Sequence, residues 1–268
     1  MYKTESVDEL FSVTAFHSAI PFRWDESFIF DGEDHDFWEI VFVTEGEVEV
    51  TEDEKVYRLQ KNDLILHAPM EFHRIRSVAP SHPAGFITSF STLGTPPAAL
   101  REGCFALQAE EAEEYAALAR RIFAFFKGHT DSPYAGQEAA TALSAFLIRL
   151  CDGKRPLQHP ENTKGAAEYR RAVSAMRERI CDNCTLDELA RDCSISVSYL
   201  KLLFKTYAGI SPKSYYRKLR VQHAIAELRA GRTSAEIAAE MNFSSPAYFS
   251  NFFQKQTRRA PSSYRKVK

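Results

Sequence analysis

Glu39 is the side chain of the N-terminal half whose setting most demands an explanation. It stands alone in the apolar run Phe37-Trp38-Glu39-Ile40-Val41-Phe42-Val43. Apart from Glu39 the run is apolar at both parities, the pattern of a strand covered on both faces. A carboxylate held there needs a partner, and a bound ligand can supply one. Of the flanking rings, Phe37 and Trp38, one should face the same pocket and the other the outer packing. A second group, Cys181-x-x-Cys184 with Cys193 nearby, invites a zinc or redox reading, but no second CxxC accompanies it. The chain has no nucleotide-binding Gly loop, no GxSxG and no HExxH, so nothing points to those reaction classes.

The elements that must position these groups change character along the chain. Up to about residue 92 the pattern is strand-like. Phe28–Phe30, Phe37–Val43, Glu47–Thr51, Val56–Leu59, Leu64–Leu66 and Phe86–Phe90 are short β-rich runs. The turn signals Asp31-Gly32, Glu45-Gly46, Asp53-Glu54 and Asn62-Asp63 separate them. Such spacing predicts an all-β sandwich or small barrel over residues 1–108. Residues 109–128 take a helical period, with Leu118, Ile122 and Phe125 on one side and Gly128 as the stop. A second helix follows, with Ser132 as cap, Pro133 as first residue and Gly153 as stop. This hairpin, 109–151, either packs on the barrel or forms a dimer interface. Residues 152–165 are polar, carry Pro and Gly, and read as a linker.

A length of 268 residues suggests two domains, and 44% hydrophobic with 26% charged residues is ordinary for a globular chain. No apolar run approaches the ~18 residues of a membrane span, and no signal-peptide pattern opens the chain. Five cysteines do not form a disulfide scaffold, so a reducing, cytoplasmic compartment is expected. The net charge of −2 hides an asymmetry: residues 165–268 hold 19 Lys/Arg and 9 Asp/Glu, leaving 15 and 27 in residues 1–164. One half attracts phosphate and the other repels it, which suggests a nucleic-acid-binding module joined to something else.

From 166 to the end the chain reads as helix and contains an internal repeat. Leu189 matches Ile237 and Ala190 matches Ala238 at an offset of 48. After a one-residue insertion, Tyr199 matches Tyr248, Phe204 matches Phe253 and Pro212 matches Pro261 at an offset of 49. Each unit reads helix, short turn, helix, over about 185–208 and 234–257. In the first, Thr185 and Glu188 form a capping box, and Ser196 caps a helix closed by Gly209. In the second, Ser245 is the cap and Pro246 the first helical residue. Between the units, Ser211-Pro212 starts a helix ending at Gly231; ~18 residues span ~27 Å, and adjacent major grooves lie ~34 Å apart.

This pattern resembles the DNA-binding domain of the AraC/XylS family of bacterial transcription regulators. The residues that carry it include Leu186-x-x-Leu189-Ala190, Ser196-x-Ser198-Tyr199-Leu200-x-x-Leu203-Phe204-Lys205, Gly209-x-Ser211-Pro212-x-x-Tyr215, Arg220, and Phe243-Ser244-Ser245-x-x-Tyr248-Phe249-x-x-Phe252-Phe253-x-Lys255. The resemblance implies groove-facing positions at Ser198, Lys201 and Leu202 in the first unit and Ala247, Tyr248 and Asn251 in the second. Lys can donate to guanine, Asn can pair with adenine, and an apolar group can pack on a thymine methyl. Lys205, Lys213, Arg217, Lys255 and Arg265 are expected at phosphates. Tyr199, Leu200, Leu203, Phe204, Phe249, Phe252 and Phe253 have core spacing.

The N-terminal half is similar to that family's sensor, a cupin-like barrel. His35-x3-Glu39-x6-Gly46 has the spacing of the first cupin motif, and Lys61-Asn62-Asp63-Leu64 through Ala68-Pro69-x-Glu71-x-His73 resembles the second. Together His35, Glu39 and His73 imitate the two imidazoles and carboxylate that suit a non-haem metal, although Glu33 stands where metal-binding cupins carry another histidine. The preferred reading needs no metal and no cofactor: His35, Trp38, Glu39 and His73 line a pocket for a small-molecule effector. The expected protein is not an enzyme but a multi-domain, effector-responsive regulator. It is expected to work as a homodimer, bind double-stranded DNA, act with RNA polymerase and have no membrane association. The alternative is a metal-dependent cupin enzyme carrying a DNA-binding tail.

Overall fold

The computed structural model describes residue 5 and residues 11–94, 96–152 and 163–265. It divides into two compact units, Met1–Glu52 with Val56–Glu161, and Asn162–Lys268, to which the turn Asp53–Lys55 is assigned.

The first unit has two antiparallel sheets. One runs β1 (Phe11–Arg23), β8 (Ala84–Gly94), β3 (Trp38–Glu45), β6 (Asp63–His67) and β9 (Cys104–Ala106). The other runs β2 (Ile29–Glu33), β7 (His73–Ser77), β4 (Val48–Glu52) and β5 (Lys55–Leu59). β3 occupies the middle of the larger sheet and is buried through Val43, as its apolar run predicts. Its parities part company: Trp38, Ile40 and Phe42 enter one core, while Val41 and Val43 enter another with Val48, Val50 and Ile75 of the second sheet.

Helices α1 (Ala109–Phe126) and α2 (Ala135–Cys151) supply the other side of the first core, through Tyr115, Leu118, Ile122, Leu143, Phe146 and Leu147. The hairpin therefore packs on the larger sheet. Two local expectations are corrected. Ser132 and Pro133 lie outside α2, whose N-cap is Tyr134; Ser132 Oγ accepts from the Tyr134 N–H at 3.2 Å instead. Asp31-Gly32 is not a turn between strands but an irregularity inside β2, with Gly32 at φ 94° and a register shift between Phe30 and Glu33. Three strands, β1, β7 and β9, lack a sequence counterpart above. Gly153 and most of the expected linker lie outside the described residues.

The second unit is all helix: α3 (Lys164–Glu178), α4 (Leu186–Asp192), α5 (Val197–Tyr207), α6 (Pro212–Arg229), α7 (Ser234–Glu240) and α8 (Pro246–Thr257). Each starts on a side-chain cap: Thr163, Thr185, Ser196, Ser211, Thr233 and Ser245 all accept from a backbone N–H. Tyr169, Leu200, Phe204 and Tyr215 fill the first helix-turn-helix, and Ile237, Phe249 and Phe253 the second.

Candidate ligand pocket and nucleic-acid interface

Strand register decides which barrel residues meet. Glu39 of β3 is paired with Ser89 of β8 on one side and with His67 of β6 on the other. In the opposite sheet, His73 of β7 is paired with Glu33 of β2 and with Glu52 of β4. Side chains of one parity from both sheets thus converge on a buried polar cluster. Glu39 Oε2 accepts from Ser89 Oγ at 2.7 Å and lies 3.7 Å from His35 Nε2. Glu39 Oε1 lies 3.3 Å from His73 Nε2, which is 4.0 Å from Glu33 Oε1.

The two rings are oriented by backbone carbonyls. His35 Nδ1 lies 2.9 Å from the Phe37 carbonyl oxygen and His73 Nδ1 3.2 Å from that of Glu71. A carbonyl only accepts, so each Nδ1 carries a proton and each Nε2 is presented to Glu39. Burial alone would push the Glu39 carboxyl up, but hydrogen bonding from His35 and His73, with the charge of His73, holds it well below the carboxylate range. Burial disfavours a charged His35, yet the Glu39 carboxylate outweighs it and raises the ring's pKa. His67 stacks on His73 with ring centroids 4.1 Å apart; its complete burial, with His73 alongside, holds its pKa well below the ordinary value.

Glu33, His35, Glu39 and His73 bring one donor atom each to within 4.8 Å of one another, and Glu52, His67 and Glu71 form a second such group. With both imidazole Nε2 atoms turned inward, the first group fits a divalent cation of the imidazole-and-carboxylate class. A cation held there would supply a Lewis-acidic anchor for an oxygen of a bound molecule.

Beside Glu39 opens a cavity of about 400 Å³, walled by Trp24, Phe28, Phe30, Phe37, Ile75 and Ile87, with Glu33, Glu39 and Ser89 among its polar members. Phe37 is stacked between His17 (4.5 Å) and His35 (3.9 Å). Trp38 does not line it. It belongs to the parity of Ile40 and Phe42 and is buried in the core shared with α1 and α2, so Phe37 takes the pocket place expected of Trp38. Of the other expected residues, Glu39 lines the cavity, while His35 and His73 touch Glu39 without lining it. Sequence reading missed Glu52 and His67, joined at 3.2 Å through Oε1 and Nδ1, and the cavity role of Glu33. For His67 a signal existed in its shared parity with Ile65, but only the pairing with β3 gives it meaning.

In the second unit the helical period separates core from surface as expected. On α5, Ser198, Lys201, Leu202 and Lys205 are exposed while Leu200, Leu203 and Phe204 are buried. On α8, Ala247, Tyr248, Asn251 and Lys255 are exposed while Phe249 and Phe253 are buried. The apolar Leu202 and Tyr248 are 56% and 59% exposed. Tyr248, Asn251 and Lys255 line one groove of about 630 Å³ with Lys213 and Arg217 of α6, so cations and polar side chains meet on one face. Two expected core residues differ. Phe252 is half-buried against Phe243, and Tyr199 is half-buried with its hydroxyl donating to Glu168 of α3 at 2.5 Å. Arg220 is buried, its guanidinium 4.5 Å from the Phe243 ring centroid, donating to Asn183 Oδ1 at 2.8 Å and to the Met241 carbonyl.

The chain matches two families. The AraC-like ligand binding domain matches residues 21–160, more than half of the chain, and a helix-turn-helix domain matches residues 189–267. The raffinose operon transcriptional regulatory protein RafR of Pediococcus pentosaceus is 34% identical over 104 residues, 38% of each chain. This chain thus spans well under half of that relative's length. The HTH-type transcriptional activator RhaS of Pectobacterium atrosepticum is 26% identical over 249 residues, 86% of each chain. Among solved structures, ToxT of Vibrio cholerae covers 92% of this chain and 96% of its own, at 13% identity and a TM-score of 0.38. With a sensor-family match over the β-rich unit and a helix-turn-helix match over the helical one, the chain belongs to the AraC family of transcription regulators.

Proposed function

We propose that this protein regulates transcription by reading a two-box promoter site through α5 and α8, under the control of a small molecule bound beside Glu39. The observation that carries the reading is the exposure of Ser198, Lys201 and Leu202 on one recognition helix and of Ala247, Tyr248 and Asn251 on the other, each helix being side-chain capped and anchored by its buried face. Lys205, Arg217 and Lys255 contact phosphates and set register; the former six read bases.

The effector has an apolar body that fits the aromatic walls and a polar head that engages the ionised Glu39. Its binding shifts the protein only if it favours one state of the regulator over another. The protein works as a homodimer, with the partly exposed Phe125, Phe126 and Ile148 of the hairpin as contact residues, and acts with RNA polymerase in the cytoplasm. No helix among the described residues is long and apolar enough to cross a membrane.

The test is a genomic selection: purified protein incubated with sheared DNA of its own organism at two salt concentrations, and the bound fragments sequenced. Enrichment of a few promoters sharing two boxes about one helical turn apart is the expected result. Salt-sensitive retention of all fragments alike would overturn the reading. The Glu33, His35, Glu39 and His73 group favours a second reading, a metal-dependent enzyme with a DNA-binding tail. Turnover that depends on a stoichiometric metal and is lost in His73→Ala would establish it.

A further inference from the structure

Outside the sites described above, the helical unit gathers a second kind of chemistry. Cys181 lies in the turn that follows α3, His223 in the middle of α6, and Glu240 at the end of α7. Cys181 Sγ is 4.0 Å from His223 Nε2 and 3.7 Å from Glu240 Oε1, and those two atoms are 3.7 Å apart. A point equidistant from all three lies about 2.2 Å from each, the length of zinc bonds to sulfur and nitrogen. We propose that Cys181, His223 and Glu240 form a zinc site that ties the turn before the first helix-turn-helix to the connecting helix and to the second helix-turn-helix.

The donors are held in place by other bonds. Asn242 Nδ2 donates to the Cys181 carbonyl at 3.1 Å, and Asn183 Nδ2 donates to the Asn242 carbonyl at 2.8 Å. Arg220 holds the same turn through Asn183 Oδ1 and the Met241 carbonyl, so residues 181–183 and 241–242 are fastened to each other beside the thiol. Arg232 takes Glu240 Oε2, which leaves Oε1 turned toward the sulfur and the imidazole. Without a cation, the Cys181 thiol donates to Glu240 Oε1, and burial followed by the neighbouring carboxylate pushes the thiol up. Zinc entry forms a Zn–S bond as the thiol proton leaves to solvent. Three protein donors leave the fourth tetrahedral position to water, on the exposed side where Glu240 lies. Thiolate, imidazole and carboxylate together favour zinc over the hard cations.

The experiment is a cobalt titration of the full, reduced chain, because only thiolate ligation gives a sulfur-to-cobalt charge-transfer band in the near ultraviolet. The expected result is a band that saturates at one equivalent and disappears when zinc displaces cobalt. It is absent in Cys181→Ser, requires more cobalt in His223→Ala and Glu240→Gln by at least the ~10–100-fold that loss of an outer-shell partner alone costs, and survives in Cys184→Ser and in the barrel variant His73→Ala. Circular dichroism matching the parent shows that the variants are folded. No band in the parent, a band that persists in Cys181→Ser, or a band lost in Cys184→Ser would each overturn the proposal.

Discussion

Ser194 and Asn242, 48 residues apart, occupy the same left-handed backbone state, with φ of 55° and 53°. Each sits in the turn between the two helices of its unit, and the capping boxes Thr185–Glu188 and Thr233–Glu236 repeat at the same offset. The caps of the recognition helices, Ser196 and Ser245, are 49 apart, so the inserted residue falls between turn and cap. The second unit absorbs it with Ser245 in extended backbone at φ −163°, where Ser196 has φ −77°. The duplicated unit thus keeps its turn geometry and accommodates the extra residue just before α8.

Left-handed backbone costs a residue with a Cβ about 1–2 kcal/mol, and Asn tolerates it better than Ser. Ser194→Gly should therefore stabilise the helical unit by about 0.5–1 kcal/mol after the entropy that Gly adds to the unfolded chain. Denaturant midpoints check it; a lower midpoint would show that Ser194 is not strained.

Both capping-box carboxylates are held below the ordinary value, Glu188 by the backbone N–H and hydroxyl of Thr185 and Glu236 by those of Thr233. A depressed folded pKa stabilises above the unfolded value of 4.5 and is lost as pH falls through the folded one. Acidification below about pH 4.5 should fray α4 and α7. Glu188→Gln with Glu236→Gln, which keep a capping acceptor without a titrating group, should flatten that dependence in a helicity titration. An unchanged acid limb would remove these groups from it.

Lys201→Ala and Asn251→Ala should each weaken the specific site by about 1–3 kcal/mol while sparing nonspecific DNA. Lys205→Ala should instead weaken all DNA alike and lower the salt slope by about one. Equal losses on both DNAs for Lys201→Ala would place it at a phosphate.

Glu39→Gln removes the charge that Ser89, His35 and His73 surround. Effector response should be lost while promoter affinity without effector stays within about twofold, a difference of ~0.4 kcal/mol. An unaltered dose–response curve would take Glu39 out of the effector contact.

Phe37→Ala and Trp38→Ala separate pocket from core. Trp38→Ala should destabilise the barrel by about 3–5 kcal/mol through the cavity left against α1 and α2. Phe37→Ala should cost less stability and weaken effector binding. The reverse order in thermal denaturation and effector titration would reinstate Trp38 as the pocket residue.

How far the sequence reaches depends on the range of the interaction. The tandem repeat, the caps Thr185, Ser196 and Ser245, and the buried and exposed faces of α5 and α8 are local. Helix period and side-chain capping act within about four residues, so the chain order displays them directly. The apolar run of β3 likewise announces a strand covered on both faces with one charge inside. Which face Trp38 takes, why Glu39 meets Ser89 and His67, and how His73 crosses from the second sheet to join them are set by register between strands 28 to 50 residues apart. A shift of one residue would exchange every inward side chain for its neighbour. The same holds where Cys181, His223 and Glu240 meet: three elements spread over 59 positions place them within bonding distance of one point, and that closure is a property of helix packing. Tertiary structure decided those encounters, because sequence neighbours constrain only the backbone that carries a side chain, while distant ones determine what it touches.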